Sequence, residues 1–227
     1  ISNVILNNSI YLIGNTATIN WTVAPTNWST GVTIKRSNNG STWTTIPGAQ
    51  LTPSTQTAAN GITGVQWVIP NEDLIYPTMQ IRVEQTSDAA TTYADSGQFQ
   101  IKGNIDITRP SENGGDPLLT WECGTQENIT WNVLGASMGG VDISYSKNSG
   151  NDLYINVIDN SGSVSSQTGS YAWTIPSNSG IGSDSVFKSG DNGKNTDVRI
   201  KVASHDDPAS VFSTSAQPLT IKSRFTT

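Results

Sequence analysis

His205 is the chain's only histidine, and it lies between Ser204 and Asp206, so the residue types of a hydrolytic triad are adjacent in sequence. A triad works only when the serine, the imidazole and the carboxylate lie within hydrogen-bonding distance of one another. Consecutive side chains of a strand point to opposite faces of a sheet, so these three residues cannot converge by themselves. We therefore expect His205 to be a surface residue without a catalytic role.

Neighbouring carboxylates could support glycoside hydrolysis, and the chain has three such sets: Glu72 with Asp73, Glu122 with Glu127, and Asp206 with Asp207. A glycosidase needs two carboxyl groups across one cleft, one of them with a pKa raised by burial. Nothing in the surrounding sequence indicates a cleft, so solvated surface charges are expected. The sequence predicts a protein that is not an enzyme.

Oxygen-bearing side chains are concentrated in residues 177–197, where they are Asp184, Asp191, Asn192, Asn195 and Asp197. Calcium binds about six to eight oxygen ligands, and such a segment could wrap the ion. The spacing matches no established calcium loop, and Asp and Asn also form turns without any ligand. Calcium is the one candidate cofactor, and its candidate ligands are Asp184, Asp191, Asn192 and Asp197.

Carbohydrate could be attached to this chain covalently or be bound by it as a ligand. If the chain is secreted, N-linked glycans could be attached at five Asn-x-Ser/Thr sequences, which begin at Asn7, Asn20, Asn27, Asn39 and Asn128. Several such sequences arise by chance in a chain rich in Asn, Ser and Thr. Alternatively, Trp28 and Trp43 lie near turns and could stack on a sugar. Packing against the protein is the alternative for both tryptophans.

Composition and charge narrow the class of protein. Charged residues make up 13% and hydrophobic residues 34% of the chain, the net charge is -6 and the pI is about 4.6. Nucleic acids and anionic membranes attract basic proteins, so neither is an expected partner. No apolar run reaches the roughly 18 residues of a membrane helix, and we expect no membrane insertion. A low-charge, hydroxyl-rich and amide-rich composition predicts an extracellular β protein.

Cys123 is the only cysteine, which excludes an internal disulfide bond. Any core must therefore hold by packing. A lone cysteine most often behaves as a small buried hydrophobic residue, which is the expectation here, with a link between two chains as the alternative.

One sequence pattern occurs twice, and this repeat determines the expected architecture. Five blocks recur in the same order, centred on Trp21, Ile34, Trp67, Ile81 and Phe99 and then on Trp131, Ile143, Trp173, Ile200 and Leu219. Apolar and polar residues alternate in each block, as in half-buried strands. The sequence therefore predicts an all-β chain of two antiparallel β-sandwiches with about seven strands each, in which Trp21, Trp67, Trp131 and Trp173 point into the cores.

The two copies of the pattern meet with almost no linker, which predicts domains of residues 1–103 and 104–227. The second copy is longer in two places: an inserted loop at residues 177–197, and a segment between Ile107 and Ile129 that holds Cys123. Loops carry function on such scaffolds, so these insertions are the expected functional regions. Residues 223–227 stand where the first strand of another repeat would begin, which predicts a longer parent protein.

These blocks resemble the immunoglobulin-like, or fibronectin-III-like, repeats of large bacterial and archaeal surface proteins. They are also similar to the Ser/Thr-rich fungal cell-wall domain related to glucan synthesis. The positions that carry the resemblance are Ile19, Trp21, Trp67, Pro70, Ile81 and Ile101, and again Ile129, Trp131, Trp173, Pro176, Ile200 and Ile221. The resemblance implies tandem immunoglobulin-like sandwiches that act as spacers, envelope components or adhesive modules, with no catalytic residue attached to the motif.

The expected function is that of a structural or adhesive module in an extracellular surface assembly, such as a surface layer, a filament or an adhesin stalk. The expected partners are further copies of the chain or other surface proteins. Exposed edge strands could pair with the next subunit, with residues 1–10 as a donated strand. The alternative is a carbohydrate-binding accessory module of a secreted enzyme, which needs an exposed platform formed by Trp28, Trp43 and Tyr76.

Overall fold

The computed structural model describes residues 1–23, 31–51, 62–72, 74–110, 120–176, 186–187 and 191–224. The chain divides into two compact units, Ile1–Gly103 and Asn104–Thr227. Both units are built from β-strands. Among the described residues, no helix has the length and apolarity that crossing a bilayer requires.

Unit 1 contains nine strands in its described residues: β1 (Ser2–Leu6), β2 (Ile10–Leu12), β3 (Thr16–Thr22), β4 (Val32–Ser37), β5 (Thr44–Leu51), β6 (Ile62–Val68), β7 (Tyr76–Gln85), β8 (Tyr93–Asp95) and β9 (Phe99–Lys102). A small sheet has the order β1-β3-β6. A large sheet has the order β2-β9-β7-β4-β5, with β8 paired to β7.

Unit 2 repeats this arrangement with β10 (Asn104–Arg109), β11 (Thr120–Glu122), β12 (Gln126–Leu134), β13 (Gly140–Ser146), β14 (Asn156–Ser165), β15 (Ser170–Thr174), β16 (Lys194–Ser204), β17 (Phe212–Thr214) and β18 (Leu219–Lys222). The small sheet has the order β10-β12-β15, and the large sheet has the order β11-β18-β16-β13-β14, with β17 paired to β16. The prediction of two immunoglobulin-like β-sandwiches is confirmed.

Each unit has more strands than the seven expected, because the first strand of each sandwich is split between the two sheets. In unit 1, β1 pairs antiparallel with β3 in the small sheet, whereas β2 pairs parallel with β9 in the large sheet. A short extra strand, β8, folds back on β7. A period-two pattern marks each piece but does not reveal a crossing between sheets.

The N-terminal segment is part of its own sandwich, so the expectation that residues 1–10 form a donated strand is wrong. Ser2 pairs with Thr22, and Ile5 pairs with Asn20 on β3. Val4 is buried in the core of unit 1. This strand is therefore already paired and packed within unit 1.

A tryptophan from the middle strand of the small sheet lies at the centre of each core. Ala17, Ile19 and Trp21 on β3 are all fully buried, and the intervening polar residues face outward. Trp131 has the same place on β12, and Trp67 and Trp173 are buried on β6 and β15. The predicted inward phase of these four tryptophans is confirmed, and truncating such a side chain typically costs about 3–5 kcal/mol.

Cys123 belongs to the shared framework of the two repeats, not to an insertion. Its backbone N–H donates to Lys222 O at 2.9 Å, as Ile13 N–H donates to Lys102 O at 2.9 Å in unit 1. Cys123 is 4% exposed and occupies the place of the fully buried Ile13. The expected role as a small buried residue is confirmed, and burial raises the pKa of its thiol.

The inserted segment at residues 177–197 is not a loop to its end, because β16 begins at Lys194. The fully buried Asn195 anchors this start. Its side-chain Nδ2 donates to Val186 O at 2.9 Å and to Lys147 O at 3.1 Å, while its Oδ1 accepts from Asp197 N at 2.9 Å. The expectation of a loop is therefore corrected for residues 194–197.

The two central tryptophans predict an energetic difference between the units. Trp131 Nε1 donates to Ser166 O at 2.8 Å, whereas the buried Trp21 Nε1 has no partner among the described residues. We expect Trp131→Phe to lower the free energy of unfolding of its unit by about 1 kcal/mol more than Trp21→Phe lowers that of unit 1. Native-state hydrogen exchange of the strand amides measures each unit separately. If the two variants lost the same free energy of unfolding, the Trp131 indole hydrogen bond would contribute nothing to stability.

Candidate functional site

In the described part of unit 2, the large exposed aliphatic side chains are close in sequence, in the loop between β13 and β14 and at the start of β14. Leu153 is 83% exposed, Ile155 is 73% exposed and Val157, at the start of β14, is 57% exposed. A soluble protein rarely holds a cluster of large aliphatic side chains in water without a partner for it. We call residues 147–155 the apolar loop.

Both sandwiches begin this loop in the same way, with a serine at the end of the preceding strand. Ser146 Oγ accepts from Asn148 N at 3.1 Å and from Gly150 N at 2.7 Å. In unit 1, Ser37 Oγ accepts from Asn39 N at 3.3 Å and from Gly40 N at 2.9 Å. The repeat therefore supplies the turn, and the units differ in the residues that come after this turn.

The loop of unit 1 is short and polar. Asn39 Oδ1 accepts from the backbone N–H groups of Ser41 and Thr42, both at 2.8 Å. Gly40 has a φ of 71°, a left-handed conformation that glycine adopts without strain. This arrangement closes the connection from β4 to β5 without exposing an aliphatic side chain.

The apolar loop of unit 2 is organised instead by Asp152. Its carboxylate accepts from Lys147 N at 2.8 Å and from Tyr154 N at 3.3 Å, and Asn156 Nδ2 lies 3.4 Å from it. Burial alone would raise the pKa of Asp152, but hydrogen bonds from the Ser146 side chain and from the backbone N–H groups of Lys147 and Tyr154 lower it below its ordinary value. The carboxylate is thus held in its ionised form by the loop that it organises.

Backbone strain is concentrated in the apolar loop. Ser149, Leu153 and Tyr154 have φ values of 51°, 56° and 60°, in the left-handed region that bulky side chains avoid. Each such conformation costs about 1–3 kcal/mol and persists only where the surroundings enforce it. Here hydrogen bonds hold each of them, because Ser149 N donates to Asp197 O at 2.7 Å, Leu153 N donates to Gly150 O at 3.1 Å and Tyr154 N donates to Asp152. The result is a preformed surface with Leu153 pointing into solvent.

A groove of about 640 Å³ lies beside the apolar loop. Its apolar lining is formed by Tyr145, Ile155, Val157, Trp173 and Pro176, and its polar lining by Lys147, Asp152 and Asn156. Under the groove, the rings of Tyr145 and Trp173 have centroids 5.3 Å apart, and Trp121 packs edge-on against Trp173 at 6.0 Å. A preformed apolar groove with a few polar groups is suited to receive an apolar side chain or a ligand of similar size.

The corresponding groove of unit 1 is smaller and charged. It measures about 260 Å³ and is lined by Arg36, which stands where unit 2 has Tyr145. Arg36 Nη2 forms an ion pair with Glu72 Oε2 at 2.8 Å. The two repeats therefore share a fold but present different chemistry at the same place.

The edge strand next to the apolar loop is poorly suited to pairing with another strand. In the described residues β14 pairs with β13 alone, but its register shifts twice between Asn156 and Ser165. Gly162 adopts a φ of 65° within this irregular stretch. Bulges of this kind twist a strand edge away from further pairing. This region is therefore distinguished by its exposed side chains and not by an open backbone edge.

His205 is exposed, as the sequence indicates, and its partner is distant in sequence. Its Nδ1 lies 2.8 Å from Asp142 Oδ1, and its ring packs against Gly162, where an added Cβ would lie 2.6 Å from the imidazole. The hydrogen bond to Asp142, its charge and the charge of Asp206 raise the pKa of His205.

Trp43 is half-buried, and a charged side chain covers one face of its ring. The Arg82 guanidinium carbon lies 4.1 Å from the Trp43 ring centroid and 3.9 Å from that of Tyr93. Asp95 accepts two hydrogen bonds from Arg82, at 2.6 and 2.8 Å. Trp28 lies outside the described residues. The assignment of Trp28 and Trp43 as sugar-stacking residues remains a prediction.

The candidate glycosylation sites fall in different surroundings. Asn7 Oδ1 accepts from Tyr11 Oη at 2.7 Å and from Thr18 N at 2.9 Å, and Asn39 Oδ1 caps the turn after β4. Asn20 and Asn128 lie on the outer faces of the two small sheets, on β3 and β12. Asn27 lies outside the described residues. All five remain predictions.

The candidate calcium ligands are only partly covered by the structure. Asp191 and the exposed Asn192 precede β16, and Asp197 lies on that strand. Asp184 lies outside the described residues. Within the part of the chain that the structure covers, no three His, Cys, Asp or Glu side chains come together as a metal-holding group. The calcium site remains a prediction.

The apolar loop was not among the functional regions predicted from the sequence, because that prediction relied on the longer insertions of the second repeat. A signal was present: Leu153, Ile155 and Val157 alternate shortly after the Asn148-Ser149-Gly150 turn. The first repeat has no such run of alternating aliphatic residues after its own turn.

Solved structures of several modular proteins match this chain at low sequence identity. The fibronectin(III)-like modules of Clostridium thermocellum CbhA match at 13% identity over 98% of this chain and 94% of that chain, with a TM-score of 0.28. The ectodomain of the polymeric Ig receptor of a teleost fish matches at 10% identity over 99% and 100%, with a TM-score of 0.36. The tandem V-type regions of VCBP3, a v-region-containing chitin binding protein, match at 10% identity over 97% and 98%, with a TM-score of 0.27. No family model and no curated protein matches the chain.

The Asp152 carboxylate is expected to stabilise unit 2. Asp152→Ala should lower the free energy of unfolding of this unit by about 1–2 kcal/mol, because the backbone N–H groups of Lys147 and Tyr154 lose their acceptor. Asp106→Ala, at an exposed position on β10, is the matched control and should change it by less than about 0.5 kcal/mol. The lowered pKa of Asp152 makes this stabilisation present above its unfolded-state pKa and lost as pH falls through its folded-state pKa. Hydrogen exchange of the β13 amides, measured over a range of pH, gives both the loss of unfolding free energy and its pH dependence. If Asp152→Ala lowered the free energy of unfolding by no more than Asp106→Ala does, the expected role of Asp152 would be contradicted.

The raised pKa of His205 is expected to depend on Asp142. The pKa of His205 should lie above its ordinary value of 6.5 and fall towards that value in Asp142→Asn. Because the folded-state pKa is raised, the pair stabilises unit 2 fully below the unfolded-state pKa, and this contribution is lost as pH rises through the folded-state pKa. Nuclear magnetic resonance of the single histidine ring gives the value directly. A titration unchanged by Asp142→Asn would show that the hydrogen bond is not formed.

Proposed function

We propose that this chain is a non-catalytic structural or adhesive module of an extracellular surface assembly, with the apolar loop of unit 2 as its contact surface. The observation that carries the proposal is the exposure of Leu153 and Ile155 on a hydrogen-bonded, strained loop and of Val157 next to it, beside a groove lined by aromatic residues. Folding gains nothing from holding three aliphatic side chains in water. Contact with a partner would recover that free energy.

The preformed state of the loop supports a role in binding. A surface that is already ordered loses little conformational entropy on association, so more of the contact free energy appears as affinity. The hydrogen bonds of Ser146 and Asp152 provide this order.

The composition supports an extracellular location. The chain combines 13% charged residues with a pI of about 4.6, and its single cysteine is buried. Cores held by packing alone do not depend on the redox state of the surroundings. Such modules serve well where a chain must keep its shape outside the cell.

A carbohydrate-binding function receives less support from the described residues. An aromatic platform for sugars needs an open ring face. The Arg82 guanidinium lies over the rings of both Trp43 and Tyr93 and is fixed by Asp95. A sugar would have to displace this stack or use the uncovered faces.

The proposed location is tested by immunoelectron microscopy of intact, unpermeabilised cells from the organism that produces the protein. Antibodies raised against the chain are expected to label the cell exterior, and prior protease treatment of the intact cells should remove the label. Antibodies against a cytosolic protein of the same cells provide the control. Label that appears only after permeabilisation would contradict the proposal.

A further inference from the structure

We propose that two copies of this chain associate head to tail, with the apolar loop of unit 2 in one copy docking on the outer face of the small sheet of unit 1 in the next. This inference rests on the proposed function and names the partner of its contact surface. It goes further because it assigns both halves of one interface to the same chain.

The outer face of sheet β1-β3-β6 is the receiving surface. Its outward side chains include Ile5, Thr18, Asn20, Gln66 and Val68, and none of the outward residues described on this face is charged. Ile5 is 56% and Val68 is 61% exposed. The Asn20 side chain lies over Gly64, where an added Cβ would lie 2.8 Å from Asn20 Oδ1. A face without charged side chains avoids the large free-energy cost of burying charges, and its exposed aliphatic groups gain from contact.

The exposed aliphatic residues of the described chain fall into two groups, which suit each other. Unit 1 carries Ile5, Ile10 and Val68, and unit 2 carries Leu153, Ile155 and Val157. Leu153 and Ile155 extend from the apolar loop and Val157 lies at the start of β14, whereas Ile5 and Val68 lie on a sheet face. An exposed loop and an open sheet face can make contact without rearrangement of either one.

The distribution of charge favours contact between unit 2 and unit 1 over contact between two copies of unit 2. Unit 1 has four basic and five acidic residues, and unit 2 has eight basic and thirteen acidic residues, so their formal charges are -1 and -5 and together give the chain's -6. Contact between two copies of unit 2 would bring together two units with a formal charge of -5 each. Contact between unit 2 and the nearly neutral unit 1 avoids most of this repulsion.

The equivalent face of unit 2 is a poorer receptor. Thr174 on β15 stands where unit 1 has Val68 on β6, and Asp106 on β10 adds a negative charge. No large aliphatic side chain is exposed among the described residues of that face. The outer face of the small sheet in unit 2 is therefore a matched control for the receiving surface in unit 1.

An interface between unlike surfaces leaves one free surface of each kind at the ends of the pair. Such a contact adds further copies and produces open chains unless the geometry closes a ring. A glycan on Asn20 would cover the receiving face and prevent docking. The test therefore uses protein made in a host without N-glycosylation, with the unmodified mass verified.

The experiment uses the full chain and two single variants, Leu153→Asp and Val68→Asp. Both positions are exposed, so neither change should affect folding, and circular dichroism with thermal unfolding verifies this. Sedimentation velocity over a concentration series should show association of the parent chain, and each variant should weaken it by at least about tenfold. Thr174→Asp, at the matched position in unit 2, should associate like the parent chain.

A mixture of the two variants provides the decisive measurement. Leu153→Asp retains an intact receiving face and Val68→Asp retains an intact apolar loop, so the mixture should form dimers that neither variant forms alone and should not grow further. Failure of the mixture to dimerise, or a parent chain that stays monomeric throughout, would overturn the inference. Neither result changes the labelling expected in immunoelectron microscopy of intact cells, so the proposed location is tested independently of the proposed association.

Discussion

Each sandwich depends on one packing constraint, which is the burial of a tryptophan from the middle strand of the small sheet against the large sheet. Trp21 and Trp131 are 0% and 3% exposed, and the strands on either side of them keep the same register in both units. The backbone contacts that close the end of each core are also the same, as shown by Gly14 N to Ile69 O at 3.0 Å and Gly124 N to Ile175 O at 2.9 Å. With the core fixed in this way, the loops are free to differ.

The two loops that come after β4 and β13 show how the same frame acquires different chemistry. Ser37 and Ser146 start both loops in a similar way, because each serine Oγ accepts from an asparagine N–H two residues later and from the N–H of the glycine that follows. After that point an amide, Asn39, closes a polar turn in unit 1, whereas a carboxylate, Asp152, supports a longer and strained loop in unit 2. Replacement of the Arg36–Glu72 ion pair by Tyr145 and its aromatic neighbours makes the adjacent groove apolar.

The sequence predicts the fold well because the fold depends on patterns that repeat. Period-two alternation and two matching sets of tryptophans indicate the strands, the inward faces and the tandem arrangement. The alternation around Ile5 and Ile10 cannot show that the chain changes sheets between them, because both pieces have the same period. Nor can spacing alone show that Cys123 is equivalent to Ile13, since the equivalence lies in a shared hydrogen bond to β18 or β9.

The candidate site was much harder to predict from the sequence. Its positions depend on left-handed backbone conformations at Leu153 and Tyr154 that no local preference would suggest. Hydrogen bonds hold them, from Leu153 N to Gly150 O and from Tyr154 N to the Asp152 carboxylate, and these acceptor roles appear only in three dimensions. The same holds for His205 and Asp142, which are far apart in sequence and are brought together by neighbouring strands.

The central claim is that Asp152 holds the apolar loop in a preformed shape, and amide hydrogen exchange of this loop in the full chain tests it most directly. The N–H groups of Lys147 and Tyr154, which donate to Asp152, should exchange much more slowly than that of the neighbouring Ile155 at neutral pH. Uniformly fast exchange across residues 147–155 would contradict the account, because the exposed aliphatic side chains would then belong to an unordered loop.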